Sequence, residues 1–399
     1  MKNMKKLRPA CLASILFGLI AWQSAYAGEY NYVGAAGTPV STSLDRESDG
    51  FIKITYDADP AAPGAQWSLA GPISSMNWDA SAQGYIDLDF RSGTVSSTGS
   101  LVSMSHFGQT GSMTLNNAAN LNYGAYNDGI MLRGYGNVTI VNSGSITGAA
   151  YSRTAISAES SNGTLKFTNT GNITGAANSS TGLNLGASKV ADILISGGAI
   201  SAGTAISVGS MGSGTLTIAS GASVLGSSSL LSVSDGNLTV EIESGATVSG
   251  GINIYNGNTL VLNSGINWMG GTSLTMYNYG EPASTLSLID WDGGVFYSGT
   301  YLSIEGAELD VKVADGAFEI ADIGKRFQLL EDQSGNFGGY FKDLDDGDFY
   351  SSGIYDFIVS YETDGVWLEL NGIAVPEPAE WAAIIGAFAL AFAAYRRRK

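Results

Sequence analysis

The chain runs to 399 residues, with 36 acidic against 19 basic residues, a formal net charge of −17, a single histidine and a single cysteine. That balance excludes a protein that grips nucleic-acid phosphates. One cysteine and one histidine exclude an intrachain disulfide framework and Cys/His zinc clusters.

Residues 1–27 read as a secretory signal peptide. Lys2, Lys5, Lys6 and Arg8 form the basic start, and Ala10 to Trp22 the apolar stretch. Ala25-Tyr26-Ala27 is a small-x-small site, so signal peptidase is expected to cleave before Gly28. Cys11 lies at the start of the apolar stretch, not after it, and makes a poor lipidation site. The exported chain then holds no cysteine, and packing alone must stabilise it. Four basic residues lie in each terminus, and Glu377 and Glu380 lie in the tail. Between Gly28 and Ala374, 11 basic and 34 acidic residues therefore remain, a formal charge of −23.

In residues 28–100, Phe51 to Tyr56 and Tyr85 to Phe90 read as strands, separated by Pro60, Pro63, Pro72, Trp67 and Trp78. This segment is expected to be an N-terminal β cap, because a solenoid must cover its first coil.

Residues 101–300 carry internal repeats. Val138-Thr-Ile-Val-Asn-Ser-Gly-Ser-Ile-Thr-Gly148 recurs 27 residues later as Leu165-Lys-Phe-Thr-Asn-Thr-Gly-Asn-Ile-Thr-Gly175. Looser copies start at Ile193, Leu216, Val240 and Leu260. A second phase lies between them: Ile130 and Leu132, Ile156 and Ala158, Leu183 and Leu185, Ile206 and Val208, Leu231 and Val233. Alternation at period two sends apolar side chains to one face. One coil cannot bury that face alone, so coils of about 20–27 residues must stack. Asn142, Asn169 and Asn263 each stand two residues before a turn glycine, as a repeated corner needs. The pattern predicts an all-β fold, a parallel β-helix over 101–300. These repeat phrases resemble the passenger repeats of autotransporter adhesins. The resemblance implies a passenger-like solenoid and no autotransporter export route, because the membrane barrel of that family has no counterpart in this chain.

Candidate chemistry is sparse. His106 sits in a Ser-rich strand as the one possible member of a Ser-His-Asp triad. Asp87/Asp89 and Glu241/Glu243 are carboxylate pairs two residues apart, the type a glycosidase or lyase uses. Arg133, Arg153, Lys166 and Lys189 are the cations that the solenoid offers as partners. Tyr123, Tyr126, Tyr135 and Tyr151 fall in adjacent coils, as a sugar-stacking strip or as ordinary sheet surface. Asp343, Asp345, Asp346 and Asp348 form a weak calcium candidate, without the fifth- and twelfth-position ligands of an EF-hand loop. No cofactor is expected, calcium at that turn being the one alternative.

Residues 281–374 hold 19 acidic and four basic residues, and 301–371 are expected to form an acidic C-terminal β cap. Residues 372–399 form the tail. Val375-Pro376-Glu377-Pro378 is held extended by its prolines. The uncharged run 381–395 reads as one transmembrane helix. It spans about 22 Å, short of a bilayer core of about 30 Å, so local thinning and interfacial Trp381 and Tyr395 must absorb the difference. Arg396, Arg397, Arg398 and Lys399 form a cytoplasmic basic stop. This motif, helix and basic cluster together resemble the PEP-CTERM sorting signal. The preceding Phe327 to Leu330 and Gly338 to Phe341 resemble the segment that closes solenoid bodies in such proteins. The resemblance implies recognition at Val375–Pro378 by a membrane-embedded, exosortase-type protease of a Gram-negative bacterium.

The sequence thus predicts a non-enzymatic β-solenoid with N- and C-terminal β caps, a signal helix and one transmembrane helix. It would be exported through the inner membrane, held transiently by its tail, and sorted to the cell surface or extracellular matrix. The expected role is structural or adhesive, with exopolysaccharide as contact and no nucleic-acid partner. The rival readings are a secreted β-helix polysaccharide lyase or glycoside hydrolase, and an uncleaved membrane-anchored surface protein.

Overall fold

The computed structural model describes residues 28–33, 43–45, 51–57, 66–69, 72–77, 85–106, 111–176, 180–374, 386–390 and 395–396. Within them the protein is all-β, with a parallel β-solenoid of about nine turns and almost no helix. The chain divides into two compact units, residues 1–193 with 198–203, and residues 194–197 with 204–399.

In the N-terminal unit the strands fall into three faces. The first runs through Gly28–Val33, Phe51–Asp57, Tyr85–Phe90, Ser112–Asn117, Asn137–Asn142 and Thr164–Asn169, paired in parallel. The second runs through Gln66–Leu69, Thr94–Ser97, Asn120–Tyr123, Ser145–Gly148 and Asn172–Thr174. The third runs through Ser43–Asp45, Ile73–Asn77, Val102–His106, Ile130–Gly134, Thr154–Ser160 and the opening of Thr181–Ile195. Inward residues stack in columns. Leu88, Leu115, Ile140 and Phe167 share a register and are fully buried. The second sequence phase is the third face: Ile130 pairs with Ile156, and Ile156 with Leu183.

The repeated glycine marks a close approach between coils. A Cβ on Gly144 would lie 2.2 Å from the Ala119 carbonyl oxygen, and one on Gly171 would lie 2.0 Å from the Gly144 oxygen. Only glycine lets the backbone of one coil sit on the next at this corner. Two residues earlier, buried asparagines form a ladder. Asn117 Nδ2 donates to Asn142 Oδ1 at 2.7 Å, Asn142 Nδ2 to Asn169 Oδ1 at 2.7 Å, and Asn169 Nδ2 to the Gly171 carbonyl at 2.8 Å. Amides suit this column because each both donates and accepts. In the same column Asn117 pairs with Phe90, whose ring stacks on Tyr56 at 5.2 Å. Asn263 also ends its strand two residues before a turn glycine, Gly265, as predicted, but it does not join a ladder. Its side chain turns instead to Glu241 Oε1 at 3.2 Å and the Ile242 carbonyl at 3.1 Å.

The C-terminal unit repeats the plan. Gly236–Ile242, Thr259–Asn263, Thr285–Trp291 and Glu308–Val313 stack on one face, while Gly251 to Tyr255, Ser273–Tyr277 and Tyr301–Ile304 stack on another. Tyr297–Gly299, Arg326–Asp332, Gly365–Ile373, Tyr355–Glu362 and Phe349–Ser352 form a separate five-stranded sheet. Trp291 joins it to the coils, its ring meeting Phe318 at 5.3 Å, Phe327 at 6.2 Å and Phe357 at 5.6 Å. The sheet and its connections also cover the edge of the last coil. The N–H groups of Ile304, Gly306 and Val311 donate to the Gly338 carbonyl at 3.1 Å, the Tyr340 carbonyl at 2.9 Å and the Tyr350 hydroxyl at 2.6 Å.

Solenoid pairing extends past both ends of the predicted 101–300 span. Residues 28–100, expected as a cap, already pair in parallel coil on coil. Their recurrence was hidden by long connections: Phe51 pairs with Tyr85, a 34-residue step. At the other end, Tyr301–Ile304 and Glu308–Val313 belong to the coils because they keep the period-two alternation, and the separate sheet supplies the closing structure. No helix among the described residues is long and apolar enough to cross a membrane. The signal helix lies outside the described residues, as does most of the predicted span 381–395.

Asn142→Ala removes two buried hydrogen bonds and leaves the Asn117 amide and the Asn169 carbonyl facing a void. It should destabilise the fold by about 2–4 kcal/mol in urea unfolding, whereas exposed Thr174→Ala should change stability by less than about 0.5 kcal/mol. Gly339 has φ +97°, and a Cβ there would lie 1.6 Å from the Ile304 carbonyl oxygen. Gly339→Ala should therefore release the closing segment, raising amide hydrogen exchange at Ile304 and Gly306 and leaving exchange in the N-terminal unit unchanged.

Candidate functional site

The processing residues Ala25, Ala27, Val375, Pro376, Glu377, Pro378, Arg397, Arg398 and Lys399 lie outside the described residues. Gly28 opens the first strand of the first face, and Arg396 is helical and exposed.

The acidic turn directs two of its carboxylates at backbone N–H groups, one in the turn and one in the strand Tyr355–Glu362. The Asp345 N–H donates to Asp348 Oδ2 at 2.7 Å, and the Tyr361 N–H to Asp346 Oδ1 at 3.0 Å. The Tyr361 hydroxyl donates to the Leu344 carbonyl at 2.8 Å. Burial, with the nearby carboxylates, pushes that hydroxyl's pKa up to about 12. Asp343 is exposed, with φ +55°. No three His, Cys, Asp or Glu side chains among the described residues converge as a metal ion requires.

Three of the four paired carboxylates, Glu241, Glu243 and Asp89, are likewise engaged with neighbouring groups. Glu241 accepts from Asn263, and Glu243 Oε2 accepts the Ser220 N–H at 3.0 Å. Asp89 holds Arg91 at 2.7 Å. Lys166 meets Asp192 at 3.4 Å, and Arg133 meets Glu159 at 3.9 Å. These are exposed pairs between or within coils, of a kind that stabilises little.

His106 ends its strand on the third face, in register with Gly134 of the next coil. It is buried, at 3% exposure, and Nε2 has no hydrogen-bond partner. Desolvation lowers its pKa below the ordinary imidazole value, so the ring is held neutral. A triad base needs a nucleophile within hydrogen-bond reach, and this Nε2 contacts none.

Of the four tyrosines, the fold brings two together at the surface. Tyr126 and Tyr151 stack with centroids 5.7 Å apart and planes within 4°. They are 70% and 66% exposed. Tyr123 is buried, and Tyr135 is half-buried. The Tyr126 N–H donates to the Tyr151 carbonyl at 3.0 Å, which ties the two turns. A second aromatic stack escaped the sequence reading. Tyr255 lies on Tyr277 at 4.6 Å, and Tyr277 on Tyr279 at 5.9 Å. The signal was present in the looser repeats, where Tyr255 and Tyr277 end equivalent strands.

No protein-family model, curated protein or solved structure matches this chain.

A buried neutral imidazole with a lowered pKa binds fewer protons in the folded than in the unfolded chain below about pH 6.5. Stability should therefore fall in the window that opens as pH drops below about 6.5. Thermal unfolding of His106→Leu should show a flatter pH dependence across that window than the wild-type chain.

Proposed function

We propose that the protein is an exported, non-enzymatic β-solenoid with a structural or adhesive role at the cell surface or in the extracellular matrix, in contact with exopolysaccharide. Its tail acts as a sorting signal. An exosortase-type protease reads Val375-Pro376-Glu377-Pro378 while the apolar run and Arg396–Lys399 hold the chain in the inner membrane. Signal peptidase removes residues 1–27 first.

The order of motif, apolar run and basic stop supports the route. The observation that carries the structural role is the engagement of Glu241 and Glu243 with Asn263 and Ser220 of adjacent coils. A glycosidase or lyase would aim such carboxylates together at a substrate, whereas here they tie one coil to the next.

Mass spectrometry of the surface-located protein in its native host tests the route. The expected mature chain starts at Gly28 and has lost the apolar run with Arg396–Lys399. Surface protein that retains Lys399 would contradict sorting by cleavage and support the anchored alternative.

A further inference from the structure

The second face of the N-terminal unit differs in chemistry from the other two. Its strands point Val95, Leu121, Ile146, Ile173 and Ile200 inward, all fully buried. Outward they present Thr94 and Ser96, Asn120 and Asn122, Ser145 and Thr147, Asn172 and Thr174, Ala199 and Ser201, aligned by the parallel register. All ten are exposed or half-buried, and none is charged. The first face carries Asp87, Asp89, Lys166 and Asp192, and the third carries Arg133 and Glu159. In a chain of net charge −17, five consecutive rungs free of charge make a distinct surface.

The geometry is that of a flat lattice. Neighbouring rungs stand about 4.8 Å apart and alternate residues along a strand about 6.6 Å apart, so five rungs span about 19 Å. Hydroxyls and carboxamides both donate and accept hydrogen bonds, and they shed water at far lower cost than ions. Their side-chain contacts with one another are long: Asn122 Nδ2 donates to Ser96 Oγ at 3.4 Å, and the Ser145 and Thr147 hydroxyls lie 3.4 Å apart, while Asn172 Oδ1 accepts the backbone N–H of Ala199 at 3.0 Å.

The stacked pair borders this face. Tyr126 follows the strand Asn120–Tyr123 and Tyr151 follows Ser145–Gly148, each in the turn that leads off the second face. Both have φ +62°, a left-handed backbone that is costly for a bulky residue. Each ring uses one side against the other ring, and at 70% and 66% exposure each keeps apolar surface open to solvent. The C–H face of a pyranose is apolar and its rim is hydroxyl. It can therefore bury its face on such a ring while its rim bonds to a Ser/Thr/Asn lattice.

We infer that the second face of the N-terminal unit, with Tyr126 and Tyr151 at its border, is a binding surface for an uncharged polysaccharide. This rests on the polysaccharide contact proposed above and assigns it a place and a ligand class. An acidic polymer is disfavoured by the charge of the chain, and a basic one finds no carboxylate on this face.

The test uses full-length protein in mild detergent, sedimented with cellulose, chitin, curdlan or starch, and with calcium-gelled alginate as the anionic counterpart. Retention is expected on at least one neutral polymer and should persist from about 50 mM to about 1 M NaCl, because screening weakens only charge-driven contact. Tyr126→Asn with Tyr151→Asn removes the rings and leaves a residue that tolerates positive φ. That double variant should bind about tenfold more weakly. Thr147→Lys with Thr174→Lys, which keeps the rings but charges the lattice, should also lose binding. Tyr279→Asn in the other unit should leave binding unchanged, and circular dichroism confirms that each variant folds. Retention only on alginate, retention on no neutral polymer, loss of binding in high salt, or undiminished binding by either double variant would overturn the inference. A chain that is processed at its tail yet binds no neutral polymer would overturn this site and leave the export route standing.

Discussion

The structure depends on one constraint: each coil must meet the next in register, strand for strand, with nothing between their backbones at the corners. Parallel pairing places Val138 on Leu165 and Ile140 on Phe167, so every inward residue faces its counterpart one coil away. A one-residue slip would turn those side chains to solvent. At the corner, Gly144 and Gly171 keep the backbones close enough for Asn142 and Asn169 to bond through their side chains. Glycine and asparagine thus recur together for linked reasons, the first allowing the approach and the second satisfying polar groups that the approach buries.

Such an assembly has no long-range closure of its own, and its ends are edges. The C-terminal edge is closed by the five-stranded sheet, which accepts the Val311 N–H from its strand Phe349–Ser352 and the Ile304 and Gly306 N–H groups through its connections. Trp291, at the end of a coil strand, sits among Phe318, Phe327 and Phe357 and makes the last coils and the sheet one core. Of the acidic residues in this region, Asp332 is buried and accepts the Leu302 N–H at 3.3 Å, whereas Asp345, Asp346 and Asp348 are exposed. The turn Asp345–Asp348 organises its own backbone.

The central coils were legible because their spacing was regular. The 27-residue step from Val138 to Leu165 is a register pair in the structure. The first coils were hidden by long Pro- and Trp-bearing connections, although Phe51–Asp57 and Tyr85–Phe90 were visible as strands. Asn117 was missed because Ala118 and Ala119 stand where the later copies have Ser143 and Gly144. Asn263 does stand before the turn glycine Gly265, as its spacing predicts, but a local Asn-Ser-Gly phrase does not say which way the amide turns. Among site candidates, the tyrosines could be assigned to neighbouring coils from spacing. Only the fold separates exposed Tyr126 and Tyr151 from buried Tyr123. The charge-free face needs all three faces compared, and composition averages over them.

Register is therefore the claim on which the core, the asparagine ladder and the uncharged lattice all rest, and cross-linking measures it directly. The chain's only cysteine is Cys11, so an introduced outward pair has no competitor between Gly28 and Lys399. Thr139 pairs with Lys166. In-register parallel neighbours lie about 4.8 Å apart, within disulfide range, whereas a partner displaced by two residues lies about 8 Å away and outside it. Thr139→Cys with Lys166→Cys should oxidise to an intrachain disulfide, and Thr139→Cys with Thr168→Cys should not. Efficient closure of the second pair with failure of the first would contradict the stacked-coil account.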